Sequence, residues 1–417
     1  MARHQKFIRF CAVFLAFLLF AGCTAHTSSQ TKNAGYSPAA YREQTLTHLK
    51  QCFSAQSGIE RICADTKIIA AWLPYMLYDT LFASQDTALC RSMVRDYLQK
   101  AKALGINTIF AHACAFGEAY FNSDLLPKAA LPCAADPMQI LSEECRSLGL
   151  SLHAWLNPLR LQTAAHMTEQ WHGDTLAERW YQSDEKRQKS MILWENRWYF
   201  NPADESVRDL ICRTAAELLN HYPIDGIHID DYFYPTIDTA FDASFFTKAK
   251  ANNLAAWRRE QISTLVSQLC GTVHNIAADA VFSISPQASI TNNHNKLFAD
   301  VGLWISEKGY CDWMIPQLYY GYANDSMPFA DVLAGWRDLP RDASVSLIIG
   351  IATYKVGAVD VYAGGGANEW LDDSGIPAKE TAQVLKNPNF AGVSLYHIGT
   401  TLTLSDAEAQ ALSDALR

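Results

Sequence analysis

The sequence has 417 residues, of which 49% are hydrophobic and 12% are aromatic, and its formal net charge is -9. This composition supports a large folded core, and the length fits one large domain or two small ones. The negative charge argues against a nucleic-acid partner and against electrostatic attraction to a membrane surface.

The chain begins with a predicted secretion signal over residues 1–23. A basic start, MARHQKFIRF, precedes a short apolar stretch, CAVFLAFLLFAGC. This order is typical of a signal peptide, and the short apolar stretch makes a transmembrane anchor the weaker alternative. FAGC resembles the lipobox of bacterial lipoproteins, although Phe20 stands where leucine is usual. The resemblance implies lipid attachment at Cys23 and an exported protein anchored to a membrane of the cell envelope, with ordinary signal-peptidase cleavage as the alternative.

Residues 24–45 are mostly small and polar, which predicts a flexible tether, and residues 46–417 form the predicted folded domain. Of the eleven cysteines, Cys11 lies in the predicted signal and Cys23 is the predicted site of lipid attachment, so that nine remain for the folded part. No CxxC spacing occurs, which disfavours a zinc site built from cysteines. Disulfides, for instance between Cys114 and Cys133, and free thiols both remain open.

Eight short segments rich in β-branched and aromatic residues recur along the domain, and helical periodicity follows most of them. This alternation predicts an α/β fold, specifically a (β/α)8 TIM barrel. A doubly wound open sheet is disfavoured because no glycine-rich turn follows the first segment. The segments are KIIAAWLPYM from 67, NTIFAHAC from 107, LSLHAWLNP from 150, DGIHIDDYF from 225, VFSISPQ from 281, DWMIPQLYY from 312, SLIIGIATYK from 346 and AGVSLYHIGT from 391.

The connection after the third predicted strand is a long, aromatic-rich insertion, from Leu161 to about Asn201. It leaves the barrel on the face where barrel enzymes hold their active sites. Because aromatic faces stack on sugar rings, we predict a sugar-binding lid, with a small satellite core as the alternative. The aromatic residues are Trp171, Trp180, Tyr181, Trp194, Trp198, Tyr199 and Phe200.

Polar side chains gather at the ends of the predicted strands. In DGIHIDDYFYP (225–235), alternation along the strand turns His228 and Asp230 toward the barrel interior and Asp231 the other way. Asp230 is therefore expected at the carboxyl-terminal mouth of the barrel. The same alternation brings further hydrogen-bonding groups to this end: His153, Trp155, Asn157, Ser283, Ser285, Gln287, Gln317 and Tyr319.

These residue types together suit glycoside hydrolysis. That reaction needs a carboxylate to stabilise or capture an oxocarbenium ion, a carboxylic acid to protonate the leaving oxygen, and flat surfaces for the sugar. We predict that Asp230 is the nucleophile or the charge-stabilising carboxylate. Asp225, at the start of the same strand, is expected to be structural. Asp231 is expected to cap the next helix or to bind a sugar hydroxyl.

Six ordered motifs, spread over about residues 65–400, resemble the bacterial glycosyl-hydrolase-like 10 family. The resemblance implies an exported (β/α)8 barrel that acts as a glycosidase on peptidoglycan strands stripped of their stem peptides. It also implies that Asp230 is the key carboxylate. The motifs are HAWLNPLR (153–160), FNPADESVRDLI (200–211), YPIDGIHIDDYFYP (222–235), WRREQI (257–262), FSISPQ (282–287) and WMIPQLYYGY (313–322).

The chain departs from the family pattern after the second and fifth strands, where FAHACAFGEAYF and ASITNNHNK stand. Both changes remove a charged or planar contact, so the preferred glycan is open to variation. The predicted substrate contacts are Trp155, Asn157, Arg160, His228, Tyr232, Gln287, Gln317 and Tyr319.

The general acid is not defined by the sequence, because no carboxylate follows the fifth strand. Glu118, after the second strand, is the first candidate, and Asp231 and Glu195 follow. His228 is expected to be a hydrogen-bonded core residue that orients Asp230. No cofactor is predicted.

Two other functions compete with a glycosidase. A glycan-binding lipoprotein without activity would explain the altered motifs. A metal-dependent hydrolase would use His112, His153 and His228 with Asp230, but these imidazoles are expected at different depths in the barrel. No GxSxG elbow for a serine nucleophile is present.

Overall fold

The computed structural model describes residues 67–417 and contains a closed barrel of eight parallel strands. Each of the eight predicted segments supplies one barrel strand, which confirms the TIM-barrel prediction. Around the barrel, neighbours follow the order β1-β2-β3-β7-β8-β9-β10-β11. The strands are β1 (Ile68–Leu73), β2 (Thr108–Cys114), β3 (Ser151–Leu156), β4 (Arg160–Thr163), β5 (Met191–Trp194), β6 (Arg197–Phe200), β7 (Gly226–Ile229), β8 (Val281–Ile284), β9 (Trp313–Met314), β10 (Ser346–Ala352) and β11 (Gly392–Tyr396).

The helices begin and end where the local sequence predicts. Asp86 caps α2 by accepting hydrogen bonds from two backbone amides, and Asp136 followed by Pro137 starts α3. Gly149 ends α3 in the left-handed conformation, at φ 66°. The helices are α1 (Tyr78–Leu81), α2 (Thr87–Ala103), α3 (Pro137–Leu148), α4 (Ala164–Gln170), α5 (Leu176–Gln182), α6 (Asp184–Ser190), α7 (Glu205–His221), α8 (Ala243–Ala249), α9 (Leu254–Ile276), α10 (Ile290–Asn295), α11 (Val301–Ser306), α12 (Phe329–Arg337), α13 (Glu369–Asp372), α14 (Ile376–Leu385), α15 (Ile398–Thr401) and α16 (Asp406–Ala415).

The barrel interior is filled by large rings. Successive side chains of β1 point to opposite sides of the strand, so that Trp72 points into the barrel while Leu73 packs on the helix side. Inside the barrel, the Trp72 ring lies 5.7 Å from that of Phe110, and the Phe110 ring stacks 4.2 Å from that of His228. The interior is therefore a packed core, and any ligand site must lie at the mouth.

The insertion after β3 has regular secondary structure and packs onto the barrel core. It contains the antiparallel sheet β4-β6-β5 and the three helices α4 to α6. Trp171, Trp180 and Phe200 are 1%, 8% and 3% exposed, so these rings cannot present a face to a sugar. For these three residues the predicted sugar-binding lid is wrong. The alternative of a separate satellite core does not describe them either, because their rings are buried in the same hydrophobic cluster as the barrel core.

The seven cysteines within residues 67–417 are free, and Cys114 and Cys133 are both buried thiols rather than a disulfide. None of the helices in this part of the chain combines the length and the apolar character needed to cross a bilayer. The predicted signal peptide with Cys23, the tether over 24–45 and the start of the domain at 46 lie outside the described residues.

Candidate active site

Asp230 lies directly after the last residue of β7, at the mouth of the barrel. Its carboxylate is 3% exposed and accepts two hydrogen bonds. The indole Nε1 of Trp155 donates to Oδ2 at 3.1 Å, and the backbone amide of Tyr232 donates to Oδ1 at 3.3 Å. Asp230 thus lies where the sequence predicts it.

Asp231 also faces the mouth, which corrects the expectation that it points away. The strand β7 ends at Ile229, so strict alternation no longer applies to residues 230 and 231. Oδ2 of Asp231 accepts a hydrogen bond from Nε2 of Gln287 at 3.1 Å. The two neighbouring carboxylates therefore share one site.

The environment of this pair perturbs the pKa of both carboxyls. Burial raises the pKa of Asp230 well above its usual range, and the charge of Asp231 raises it further. Burial also raises the pKa of Asp231, but hydrogen bonds from the amides of Gln287 and Gln317 oppose this rise. The surroundings thus favour a proton on Asp230 more strongly than on Asp231.

Two glutamines fix the far side of the pair. Gln287 and Gln317 form a parallel bridge beyond the ends of β8 and β9. Nε2 of Gln317 donates to the carbonyl and the hydroxyl of Ser285, at 3.0 and 3.2 Å. Both predicted contacts therefore reach the mouth, and Gln287 acts directly on Asp231.

His228 does not reach the site, which corrects its assignment as a substrate contact. It is fully buried, and its Nε2 accepts a hydrogen bond from Nε1 of Trp72 at 3.0 Å. Its Nδ1 lies 2.8 Å from the hydroxyl of Ser283 and must carry the proton, because Nε2 accepts. Burial lowers the pKa of His228 well below its usual value, so the ring is neutral. It is a core residue, as predicted, but Trp155 rather than His228 orients Asp230.

Trp155 and Asn157 support the site from below. The indole of Trp155 is 4% exposed and stacks on His112 with 3.3 Å between ring centroids. Asn157 is equally buried, at 4%, and its backbone amide donates to the carbonyl of Cys114. Both side chains are about as buried as Asp230, at the same mouth, and their contact with the sugar stays a prediction. Trp155 positions Asp230.

An aromatic rim surrounds the two carboxylates. Tyr232 is 43% exposed, and the rings of Tyr319 and Tyr396 stack with 5.4 Å between centroids. Sequence reasoning missed Tyr396, although it ends the eighth barrel strand and the same alternation would have found it. The charges of Asp230 and Asp231 help burial to raise the pKa of the Tyr396 hydroxyl, because the three groups are close. The rim offers the flat apolar surface that a sugar needs.

The carboxylate of Glu118 is hydrogen-bonded to side chains of the insertion, so it does not fit the predicted role of general acid. Its carboxylate lies 2.6 Å from Nε2 of His166 and accepts hydrogen bonds from Nε2 of Gln162 at 3.0 Å and from Nε1 of Trp171 at 3.2 Å. These three contacts hold the Glu118 side chain against the insertion. Glu195 is exposed in the turn between β5 and β6, with φ 53°. Of the three candidate acids, Asp231 is the one that the structure places beside Asp230.

The three histidines of the metal alternative do not form a ligand set. His228 has both nitrogens engaged, and the ring of His153 stacks 4.9 Å from that of Trp313. Nδ1 of His112 accepts a hydrogen bond from the backbone amide of Tyr75 at 3.1 Å. Within residues 67–417, no group of three or more His, Cys, Asp or Glu side chains is arranged to hold a metal ion.

The family model described as glycosyl hydrolase-like 10 matches residues 70–363, which include Asp230, Asp231 and the six motifs. The chain belongs to the glycosyl hydrolase-like 10 family. Glycosyl hydrolase DigH of Escherichia coli strain K12 is 26% identical over 95% of this chain and 94% of its own length. Glycosyl hydrolase YngK of Bacillus subtilis strain 168 is 25% identical over 70% of this chain and 62% of its own length. The predicted glycosidase activity is confirmed at this level.

Solved structures similar to this glycosyl hydrolase-like 10 chain share its barrel. The PgaB (BpsB) glycoside hydrolase domain from Bordetella bronchiseptica has a TM-score of 0.55 at 14% identity, covering 84% of this chain and 98% of that one. An alpha-L-fucosidase from Paenibacillus thiaminolyticus has a TM-score of 0.53 at 15% identity, covering 84% of this chain and 49% of that one. At these identities the similarity shows the fold alone.

Proposed function

We propose that this chain is an exported glycosidase that cleaves peptidoglycan glycan strands from which the stem peptides have been removed. The observation that carries the proposal is the pair of adjacent carboxylates, Asp230 and Asp231, at a barrel mouth lined by tyrosines and glutamines. A glycosidase of the common type uses two carboxyl groups in different protonation states, and this pair offers two candidates for those roles.

In the proposed reaction, Asp230 carries the proton and Asp231 the negative charge. Burial and the neighbouring charge raise the pKa of Asp230, which favours the protonated form that a general acid requires, so we assign Asp230 to protonate the leaving glycosidic oxygen. The amides of Gln287 and Gln317 stabilise the charged form of Asp231, which then faces the developing oxocarbenium ion. This assignment differs from the sequence-based prediction, in which Asp230 is the nucleophile or the charge-stabilising carboxylate, and the experiment below tests both aspartates.

The substrate and the location rest on the sequence. The six motifs imply peptidoglycan strands without stem peptides, and the relatives are named as glycosyl hydrolases. The signal over 1–23 and the lipobox cysteine Cys23 support export and a lipid anchor in the cell envelope. A membrane-bound enzyme facing the envelope would meet this polymer.

The test is a mass-spectrometric assay for new reducing ends, released from peptide-stripped strands by the mature chain without its lipid. We expect release by the unchanged protein and a loss of at least about 10³-fold in kcat in Asp230→Asn and Asp231→Asn. Asp209→Asn is the matched control, because Asp209 is 63% exposed on α7 and outside the site.

Two outcomes would contradict the proposal. Equal release by the unchanged protein and by both aspartate variants would place the chemistry elsewhere. Retention of strands in a pull-down without any release would favour a glycan-binding protein instead.

A further inference from the structure

Two arginines stand beside the carboxylate pair, on neighbouring strands of the insertion. The guanidinium carbon of Arg160, in β4, and that of Arg197, in β6, each lie 5.0 Å from the ring centre of Phe116. Arg160 also lies 4.6 Å from the ring centre of Tyr232, the residue that follows Asp231. Two positive charges are thus held against aromatic faces at the edge of the mouth.

Neither arginine forms an ion pair with a carboxylate of residues 67–417. Both side chains are half-buried, and Arg197 donates to the carbonyl of Leu161 at 2.6 Å. Burial lowers the pKa of Arg197, and the charge of Arg160 lowers it further. Two partly desolvated like charges cost free energy unless an anion joins them. Arg160 has the carboxylate pair in its vicinity, but no carboxylate of the described residues is among the charges that act on Arg197, so we expect a further anion to come from a ligand.

Arg160 acts electrostatically on the two carboxylates at the mouth. The charge of Arg160 lowers the pKa of both Asp230 and Asp231, so it lies close to both carboxylates. The hydroxyls of Tyr75 and Tyr199 also lie in the field of both arginines and are half-buried beside them. An anion bound here would be adjacent to the sugar at the scissile bond.

We propose that Arg160 and Arg197 form a subsite for a carboxylate substituent of the glycan. The inference rests on the proposed function and deepens it. A planar guanidinium binds a carboxylate through two parallel hydrogen bonds, and two guanidinium groups are enough to surround one carboxylate. On a peptide-stripped strand the lactyl ether of each muramyl sugar ends in a free carboxylate, whereas an attached stem peptide turns this group into a neutral amide. The subsite therefore gives a physical reason for a preference for stripped strands.

The test compares two forms of the same peptide-stripped strands, one with free carboxylates and one in which they are coupled to methylamine. We expect the mature protein to prefer the free form by at least about tenfold in kcat/KM, as charged hydrogen bonds of ordinary strength would give. Arg160→Gln and Arg197→Gln should bring this ratio toward one, while Arg160→Lys and Arg197→Lys retain part of it. Arg213→Gln, which removes a charge that is 52% exposed on α7, should keep the full ratio.

Equal cleavage of both strand forms by the unchanged protein would overturn the subsite, as would a full ratio in both glutamine variants. Thermal unfolding of each variant shows whether a lost preference for free carboxylates comes from misfolding. If a glutamine variant is misfolded, the corresponding lysine variant decides whether the subsite exists. If neither form is cleaved, the proposed function fails, and calorimetric binding tests the subsite alone. A tenfold tighter Kd for the free form supports the subsite in that case, and equal or absent binding overturns it.

Discussion

Trp155 and Asp230 are 75 positions apart in the sequence and are joined by a hydrogen bond of 3.1 Å between the indole and the carboxylate. The indole is itself fixed by stacking on His112, whose Nδ1 accepts from the backbone of Tyr75. Residues from β2 and β3 and from the end of β1 thus set the orientation of Asp230. Burial and the charge of Asp231 raise the pKa of this carboxyl, and the hydrogen bond from Trp155 is among the contacts that oppose the rise.

Removing the indole donor should raise the proton affinity of Asp230. The hydrogen bond from Trp155 stabilises the charged form and so lowers the pKa of Asp230, against the larger effect of burial. In Trp155→Phe we expect the alkaline limb of the kcat profile to move to higher pH, with kcat falling about tenfold as the carboxyl loses its orientation. Trp313→Phe, which makes no hydrogen bond to the pair, is the control. A limb that stays in place would contradict the prediction.

Removing the neighbouring charge should have the opposite effect. Asp231 raises the pKa of Asp230, so Asp231→Asn should lower it. We expect the carbon-13 chemical shift of the Asp230 carboxyl to titrate at lower pH in this variant than in the unchanged protein. Asp209→Asn should leave the titration where it was. An unchanged or higher midpoint in Asp231→Asn would show that the two groups do not interact as described.

The carboxylate of Asp230 should also cost stability at neutral pH. Because its pKa in the folded protein lies above that in the unfolded chain, the folded state binds the proton more tightly. This contribution is fully present below the unfolded pKa, near 4, and is lost as the pH rises toward the folded pKa. Asp230→Asn should therefore raise the midpoint of thermal unfolding at pH 7 by about 2 °C or more. The gain should shrink at pH 4, and a gain that is equal at both pH values would contradict the argument.

Glu118 should stabilise the insertion rather than donate a proton. Glu118→Ala leaves the donors of His166, Gln162 and Trp171 without their acceptor, so we expect faster proteolysis within residues 160–200. Glu118→Gln keeps part of these contacts, and its kcat should fall by less than about tenfold. If Glu118 were the proton donor, Glu118→Gln would instead lower kcat by about 10²-fold or more and would remove the alkaline limb of the kcat–pH profile. That result would restore the original assignment.

The fold could be predicted from the periodicity of the sequence, whereas only part of the site could be predicted. The eight strands were predictable because each is a short apolar segment and most are followed by a helical pattern. Asp230 was predictable because it lies two positions after His228, the last inward residue of its strand. Asp231 was misplaced because β7 ends at Ile229, a boundary that no local pattern marks. The roles of His228 and Glu118 depend on partners in other strands and in the insertion, and such pairings become visible only when the chain is folded.

The filled barrel interior determines how a long polymer can approach. With Trp72, Phe110 and His228 packed along the axis, no strand of sugars can descend into the barrel. A polysaccharide must lie across the top, so the number of sugar units that it engages depends on the breadth of the rim rather than on the depth of a pocket. Altered chain-length preference is therefore to be engineered in the loops that border Asp230, and the strands beneath can be left as they are.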